Sequence, residues 1–377
     1  MKKLGLTIFF DAFALMLLGL IIVMSASSTY SSIRFDDLFH LFNSHLFKVV
    51  LGIGFMVLFC AIPYEVYKEF SKPAILITTV VLVLTLFFAP SIKGAGRWIN
   101  LGLFSFQPAD VAKLVLIVHL AALIEDKGEL IRDFKEGLLY MLFWVLIVSG
   151  LIFIQPNVSN GLLLVLISFV MLYIGGAKFT HLFGSALMCL LVSGIAAMMI
   201  THSRERILTF LNAIQHGGSA NIQVKQALLG LGSGGIFGVG VGHSMQSNLF
   251  LPESYGDFIF AIIGEELGFI GSVIVLLSYL LLFIAGILIA KKTKDTFGQM
   301  LAFGITFSII LYAFVNAAVA TGLVPTTGLP LPFISYGGTS MIFLCISVGI
   351  LVNIAYTNSK LDNDLNLSIQ NSGTEEE

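Results

Sequence analysis

The chain has 377 residues, 57% of them hydrophobic and only 11% charged, with a mean hydropathy of +0.97. That composition excludes an ordinary soluble domain and places the chain among proteins that cross a membrane many times. A net charge of −2 with no basic block gives no reason to expect a nucleic-acid partner.

Spanning a bilayer takes about 20 apolar residues. On that measure ten spans are expected, at 5–25, 45–62, 73–90, 109–124, 137–154, 161–176, 179–200, 260–290, 297–320 and 340–356. The opening MKKLGLTIFFDAF leads into a long apolar segment without a small-residue cleavage site, so it is expected to stay as the first span. Connections near Lys68 and Lys72, Lys127 and Arg132, Lys178, and Lys291, Lys292 and Lys294 are rich in Lys and Arg. They alternate with poorer ones, and Lys2 and Lys3 fall on the same side, which places both termini in the cytoplasm. The fold class is thus an all-α polytopic membrane protein, with a spanning domain over 1–357. The polar, acidic, aperiodic residues 358–377 are expected to be a disordered cytoplasmic tail. No internal repeat is visible, which disfavours the repeat-built transporter folds.

Three long connections then face outward: residues 91–108, 201–259 (between the seventh and eighth spans) and 321–339. They collect nearly all the Gly-Pro punctuation and the unpaired charges. Irregular backbone near a membrane is tolerated only where protein buries it or water reaches it, so the three are expected to close over one partly wet cavity.

The stretch FLPESYGDFIFAIIGEELGF, residues 250–269, sets Glu253, Asp257, Glu265 and Glu266 in or beside an apolar run. A carboxylate at membrane depth costs at least about 2.5–3.5 kcal/mol, so such residues usually face a cavity, a partner or a substrate. Asp257 reads either as a helix N-cap or as a general base tuned by a partly apolar site and nearby cations. Glu253 has the same two readings. Of Glu265 and Glu266, one is expected to bond loop backbone and the other to face the cavity.

In the first outer connection, Arg97 offers a planar donor fork suited to phosphate oxygens. Trp98 reads as a site residue or an interfacial anchor, and Lys93 as a further cation or a snorkelling one. Arg204 and Arg206 raise the same question in the large connection, and Lys225 more weakly. Asp110 and Lys113, spaced i, i+3 just after Pro108, read as an ion pair orienting a short helix, or as a site where Lys113 meets a lipid-linked phosphate. The run GLGSGGIFGVGVG, residues 230–242, has neither the βαβ setting of a dinucleotide fold nor the Gly-Lys-Ser/Thr of a Walker loop; close approach of chains is its expected use. Cys60, Cys189 and Cys345 are far apart in apolar segments, so neither a disulfide framework nor a zinc site is expected. The seven histidines show no metal-ligand spacing.

Four ordered strings, GAGRWINLGLFSFQPADVAK, GSGGIFGVGVG, LPESYGDFIFAIIGEELG and GLPLPFISYGGTS, resemble the SEDS family of bacterial membrane proteins, which includes FtsW, RodA and SpoVE. The resemblance covers nearly the whole span region. It implies ten transmembrane helices and a peptidoglycan glycosyltransferase that polymerises lipid II on the outer face of the bacterial cytoplasmic membrane. It also implies a class B penicillin-binding transpeptidase as partner, among other divisome or elongasome proteins and membrane lipids. A divalent cation (Mg²⁺ or Mn²⁺) could share the work, although no clear ligand set for one is visible. The family's essential acid matches Asp257, its Arg-Trp motif Arg97 and Trp98, and its acid-lysine pair Asp110 and Lys113. This chain departs in having Tyr255-Gly256 where the family usually has His-Thr, Asp110 where it has Glu, and Pro156-Asn157 where it has Pro-Asp. VNAAVATGLVPTTGLPLPFISYGG and AIIGEELG are closer to FtsW than to RodA, which implies a role in division, with lateral-wall synthesis and lipid II flipping as alternatives.

Overall fold

A computed structural model describes residues 1–88, 98–100, 105–199, 201–216 and 221–373. The long apolar runs become helices α1 (Lys2–Phe35), α2 (His40–Ala61), α4 (Ser71–Phe88), α5 (Pro108–Lys127), α6 (Leu139–Ile154), α7 (Val158–Ile174), α8 (Phe179–Met199), α11 (Ile259–Lys292), α12 (Thr296–Ala320) and α13 (Ser340–Gly373). These ten correspond one to one with the expected spans. Among the described residues seven helical segments are long and apolar enough to cross a membrane unaided. The exceptions are α7, which is shorter, α8, whose counted apolar stretch is only Phe179–Leu191, and α5, which carries charge at both ends. Short helices α3 (Glu65–Glu69), α9 (Thr201–His216) and α10 (Ile222–Ser233) lie between them. A two-residue ladder pairs β1 (Ile99–Asn100) antiparallel with β2 (Ser105–Phe106).

Two expectations change. Residues 201–259 are not a long irregular loop, because α9 and α10 occupy much of them. The alternation of polar and apolar residues in THSRERILTFLNAIQH suits a surface helix, not a span. The last helix continues through Gly373, past the point at 358 where a tail is expected. Residues 359–372 contain neither Pro nor Gly, and extending an existing helix needs no new nucleus.

The core sits around the C-terminal helices. In the apolar stretch of α12 72% of residues are buried, and in α13 67%, against 28% in α2 and α4, whose outer faces are left for lipid. The broadest helix contacts join α2 with α13, α11 with α12, and α1 with α11. At one end of the bundle Lys68 Nζ pairs with Glu125 (2.5 Å) and Asp126 (3.0 Å). There Glu125 also accepts from the backbone N–H of Phe297 (3.2 Å), and Tyr64 OH donates to Asp295 (2.6 Å). Three of the Lys-rich connections are thereby gathered on one side.

The glycine run does bring chains together. At Gly268 (φ 71°) α11 departs from helical geometry, and the backbone of residues 235–240 fills the gap. Val239 and Gly240 N–H donate to the Glu265 and Glu266 carbonyls (2.9 and 3.0 Å), while Phe269 N–H donates to the Gly235 carbonyl (2.9 Å). Gly238 has φ 83°, and a Cβ there would collide with the backbone of Glu266 and Gly268. Gly238→Ala is therefore expected to destabilise the protein by at least about 1–3 kcal/mol, read as a lower unfolding temperature in detergent. An unchanged midpoint would contradict this packing.

Candidate active site

Polar residues from the connections 91–108, 201–259 and 321–339 and from α2, α5, α7 and α12 line one cavity of about 620 Å³. Asp257 lies on its wall, half-buried, in the irregular segment before α11. The N-cap position of that helix falls on Phe258, so the capping reading of Asp257 is not taken up. Three consecutive carbonyls fix this segment. Tyr255 O accepts from the backbone N–H of Tyr336 (2.9 Å), Gly256 O from Ser335 Oγ (2.7 Å), and Asp257 O from Asn316 Nδ2 (2.8 Å). Asn316 is fully buried in α12, and its Nδ2 also donates to the Leu329 carbonyl (2.7 Å). One amide thus joins the Asp257 segment to the 321–339 connection. Gly328, at φ 74°, leaves room for the carboxylate: a methyl there would sit 3.4 Å from Asp257 Oδ2 and 3.8 Å from Arg206 Nη1.

Glu253 also lines the cavity and holds a left-handed backbone (φ 58°), a conformation that tends to gather at functional sites. Tyr255 packs against Tyr30 and Tyr336. Burial, then the neighbouring Glu253 carboxylate, raises its phenol well above the ordinary value, so it stays a donor.

Of the expected cations, Arg206 reaches the cavity from α9, its Nη1 donating to the Thr326 carbonyl (3.4 Å). Arg204 and Lys225 are exposed and do not line it. Lys93 and Arg97 lie outside the described residues. Trp98 lines the cavity, packed so closely on Gly338 that a Cβ there would approach its Cζ3 to 2.7 Å.

Asp110 and Lys113 both line the cavity, but the expected ion pair does not form within 4.0 Å. Asp110 Oδ2 accepts from Thr339 Oγ1 (3.2 Å), which itself accepts from the Gln107 backbone N–H (3.1 Å). Lys113 Nζ lies 4.1 Å from the Tyr312 ring centroid. Tertiary partners outcompete the local i, i+3 contact. Tyr312 OH donates to Asn160 (2.7 Å), and Asn160 Nδ2 donates to Asn157 (3.1 Å), so an uncharged relay stands at position 157.

Neither Glu265 nor Glu266 faces the cavity, contrary to expectation. Glu265 accepts from Ser244 Oγ (2.5 Å) and from the backbone of Met245 (3.0 Å) and Gln246 (3.3 Å). Glu266 accepts from Ser25 Oγ and from the Gly242 backbone (3.1 Å). Both pin the glycine-rich segment to α11. Adjacent helical positions point to different faces, but here that segment and α1 together cover both.

Among the described residues no three His, Cys, Asp or Glu side chains gather to hold a metal ion.

A family model described as cell cycle protein, covering FtsW, RodA and SpoVE, matches residues 6–360. The chain belongs to the FtsW/RodA/SpoVE family. It is 35% identical over 358 residues to the probable peptidoglycan glycosyltransferase FtsW of Geobacter sulfurreducens, covering 94% of this chain and 95% of that protein. It is also 35% identical over 345 residues to stage V sporulation protein E of Bacillus subtilis, covering 90% and 94%. The RodA crystal structure from Thermus thermophilus shares the fold at a TM-score of 0.68 and 25% identity, over 93% of this chain and 96% of that one. So does a chain from a peptidoglycan synthase complex, at 0.75 and 24%, over 93% and 97%. Like these relatives, the chain is a multi-pass membrane protein. Within this FtsW/RodA/SpoVE fold, sequence reasoning missed Asn316, Lys48, Asn160 and Tyr336 on or behind the cavity wall. Asn316 and Lys48 each share their helix with other polar residues, so neither stands out in the sequence.

Proposed function

We propose that this chain is a peptidoglycan glycosyltransferase that polymerises lipid II during cell division. The observation that carries this reading is Asp257, clamped by three backbone hydrogen bonds on the wall of a cavity that also presents Lys113 and Arg206. The names of its FtsW relatives support the reaction class.

In that reaction the C4 hydroxyl of an acceptor sugar attacks the anomeric carbon of a donor. The proton passes to Asp257, the new C–O bond forms, and the bond to the diphosphate breaks with its electron pair leaving on that group. Attack opposite the leaving group inverts the anomeric centre. A positioned carboxylate contributes about 10²–10⁴-fold to such a step. Preorganised cations answer the charge that grows on the diphosphate; Lys113 and Arg206 stand on this cavity, with Arg97 and Lys93 kept as further candidates from the sequence. Trp98 and Tyr255 give the sugar rings flat surfaces. The wall offers a divalent ion only scattered carboxylates (Asp257, Glu253 and Asp110), short of a ligand set, so no step is routed through one.

The gathering of three Lys-rich connections at one end of the bundle supports cytoplasmic termini, with Lys2 lying near the Tyr356 ring (5.9 Å). The cavity then opens on the outer face, and a class B penicillin-binding transpeptidase is the expected partner, in line with the similar chain from a peptidoglycan synthase complex. A flippase would need charge along the whole crossing. Asp11, an acid within α1, instead accepts from Ser278 and lies off the cavity.

The test is purified protein with a class B partner and lipid II in detergent, where there are no sides to flip between. Muramidase-sensitive glycan chains are the expected product; none with any cognate partner would sink the reading.

A further inference from the structure

The cavity contains two lysines seated in the same way. Lys113 of α5 lies 4.1 Å from the centroid of the Tyr312 ring, and Lys48 of α2 lies 4.3 Å from that of Tyr336. Both line the wall. Lys113 shares its helix turn with Asp110. Lys48 has no carboxylate within 4.0 Å among the described residues, although only 6% of it is exposed.

Its surroundings are built. Lys48 stands about 12 Å along α2 from the first residue, His40. Within one turn, Ser44 Oγ lies 3.3 Å from Tyr336 OH, and the fully buried His45 packs its ring 5.8 Å from the same tyrosine. Among the described residues neither ring nitrogen of His45 has a hydrogen-bond partner. Tyr336 in turn donates its backbone N–H to Tyr255 O, two residues before Asp257. The seat of Lys48 is thus tied to the segment that carries the proposed base.

Burying an ammonium is costly unless an anion or hydrogen-bond acceptors answer it. The face of an aromatic ring compensates only in part and leaves the N–H donors directed elsewhere. Here they are on a cavity wall. We propose that Lys48, seated on Tyr336, is a second diphosphate-binding residue, separate from the Lys113 corner. The inference rests on the polymerase reading above, because joining two lipid-linked sugars requires the cavity to hold two lipid diphosphates at once. Two lysine–tyrosine seats on different helices match that requirement.

The test compares wild type, Lys48→Met and Lys48→Arg with a class B partner, by lipid II titration and by competition with undecaprenyl diphosphate. Lys48→Met should raise the half-saturating lipid II concentration and weaken undecaprenyl diphosphate binding by about 10–100-fold, the loss expected for a charge-assisted hydrogen bond. Its rate at saturation should change far less, and Lys48→Arg should recover most of the binding. Unchanged half-saturation in Lys48→Met, or a fall in rate alone, would overturn the proposal. If Lys48→Met does not fold, Lys48→Gln and inorganic pyrophosphate decide: competitive inhibition of wild type that is weakened in Lys48→Gln and largely kept in Lys48→Arg supports it, and no inhibition, or equal inhibition in Lys48→Gln, overturns it. A wild type that makes no glycan would count against the polymerase, while undecaprenyl diphosphate binding would still report on Lys48.

Discussion

Asp257→Asn is expected to lower glycan synthesis by about 10²–10⁴-fold, the range a positioned general base supplies. The amide keeps the shape and size of the carboxylate but has no lone pair basic enough to take the hydroxyl proton. The backbone clamp on residues 255–257 uses carbonyl oxygens only, so the substitution leaves those hydrogen bonds in place. The variant should therefore insert, unfold at the wild-type temperature and still bind lipid II. The measurement is the initial rate of chain formation with partner and lipid II in excess. Wild-type rates in the amide variant would remove Asp257 from the chemistry.

Asn316→Ala is expected to produce the next largest loss. Its Nδ2 donates to the part-buried Asp257 carbonyl and the buried Leu329 carbonyl, and truncation leaves both without that donor. An unsatisfied buried acceptor costs about 1–3 kcal/mol, so the unfolding temperature should fall. Catalysis should suffer more than binding, because a shift of about 1 Å in a reacting group can cost about 10²-fold in rate. The expected signature is a large drop in kcat with little change in half-saturating lipid II. Asn316→Asp should be at least as impaired, since an ionised side chain would turn an acceptor toward each carbonyl. Loss of stability with kcat intact would make Asn316 a packing residue and nothing more.

The two variants separate two roles that sequence presents unequally. Asp257 is conspicuous because a lone acid in an apolar stretch is costly wherever it stands. Asn316 sits in VNAAVA, where an uncharged amide among small residues carries little signal. Its importance comes from the two segments it bridges, 59 and 13 residues away. Lys48 is similar: the sequence shows a lysine near the start of a span, which snorkelling explains as well as a site does. Glu265 and Glu266 show the reverse error. An apolar stretch makes each acid costly, but the partners that offset the cost are loop N–H groups and Ser25 and Ser244, not a substrate.

By itself the sequence determined the class of protein and the number and order of its long helices, because bilayer thickness and backbone hydrogen bonding leave so few ways to bury twenty apolar residues. It also singled out the acid and, through four ordered strings, the family. Only the tertiary structure decided which polar groups share a cavity, since that depends on contacts between segments hundreds of residues apart. Asp110 turns to Thr339 and Lys113 to Tyr312 for this reason, while their i, i+3 spacing favours an ion pair. Helical spacing records only what can touch along one helix; the cavity is made where several helices and their connections meet.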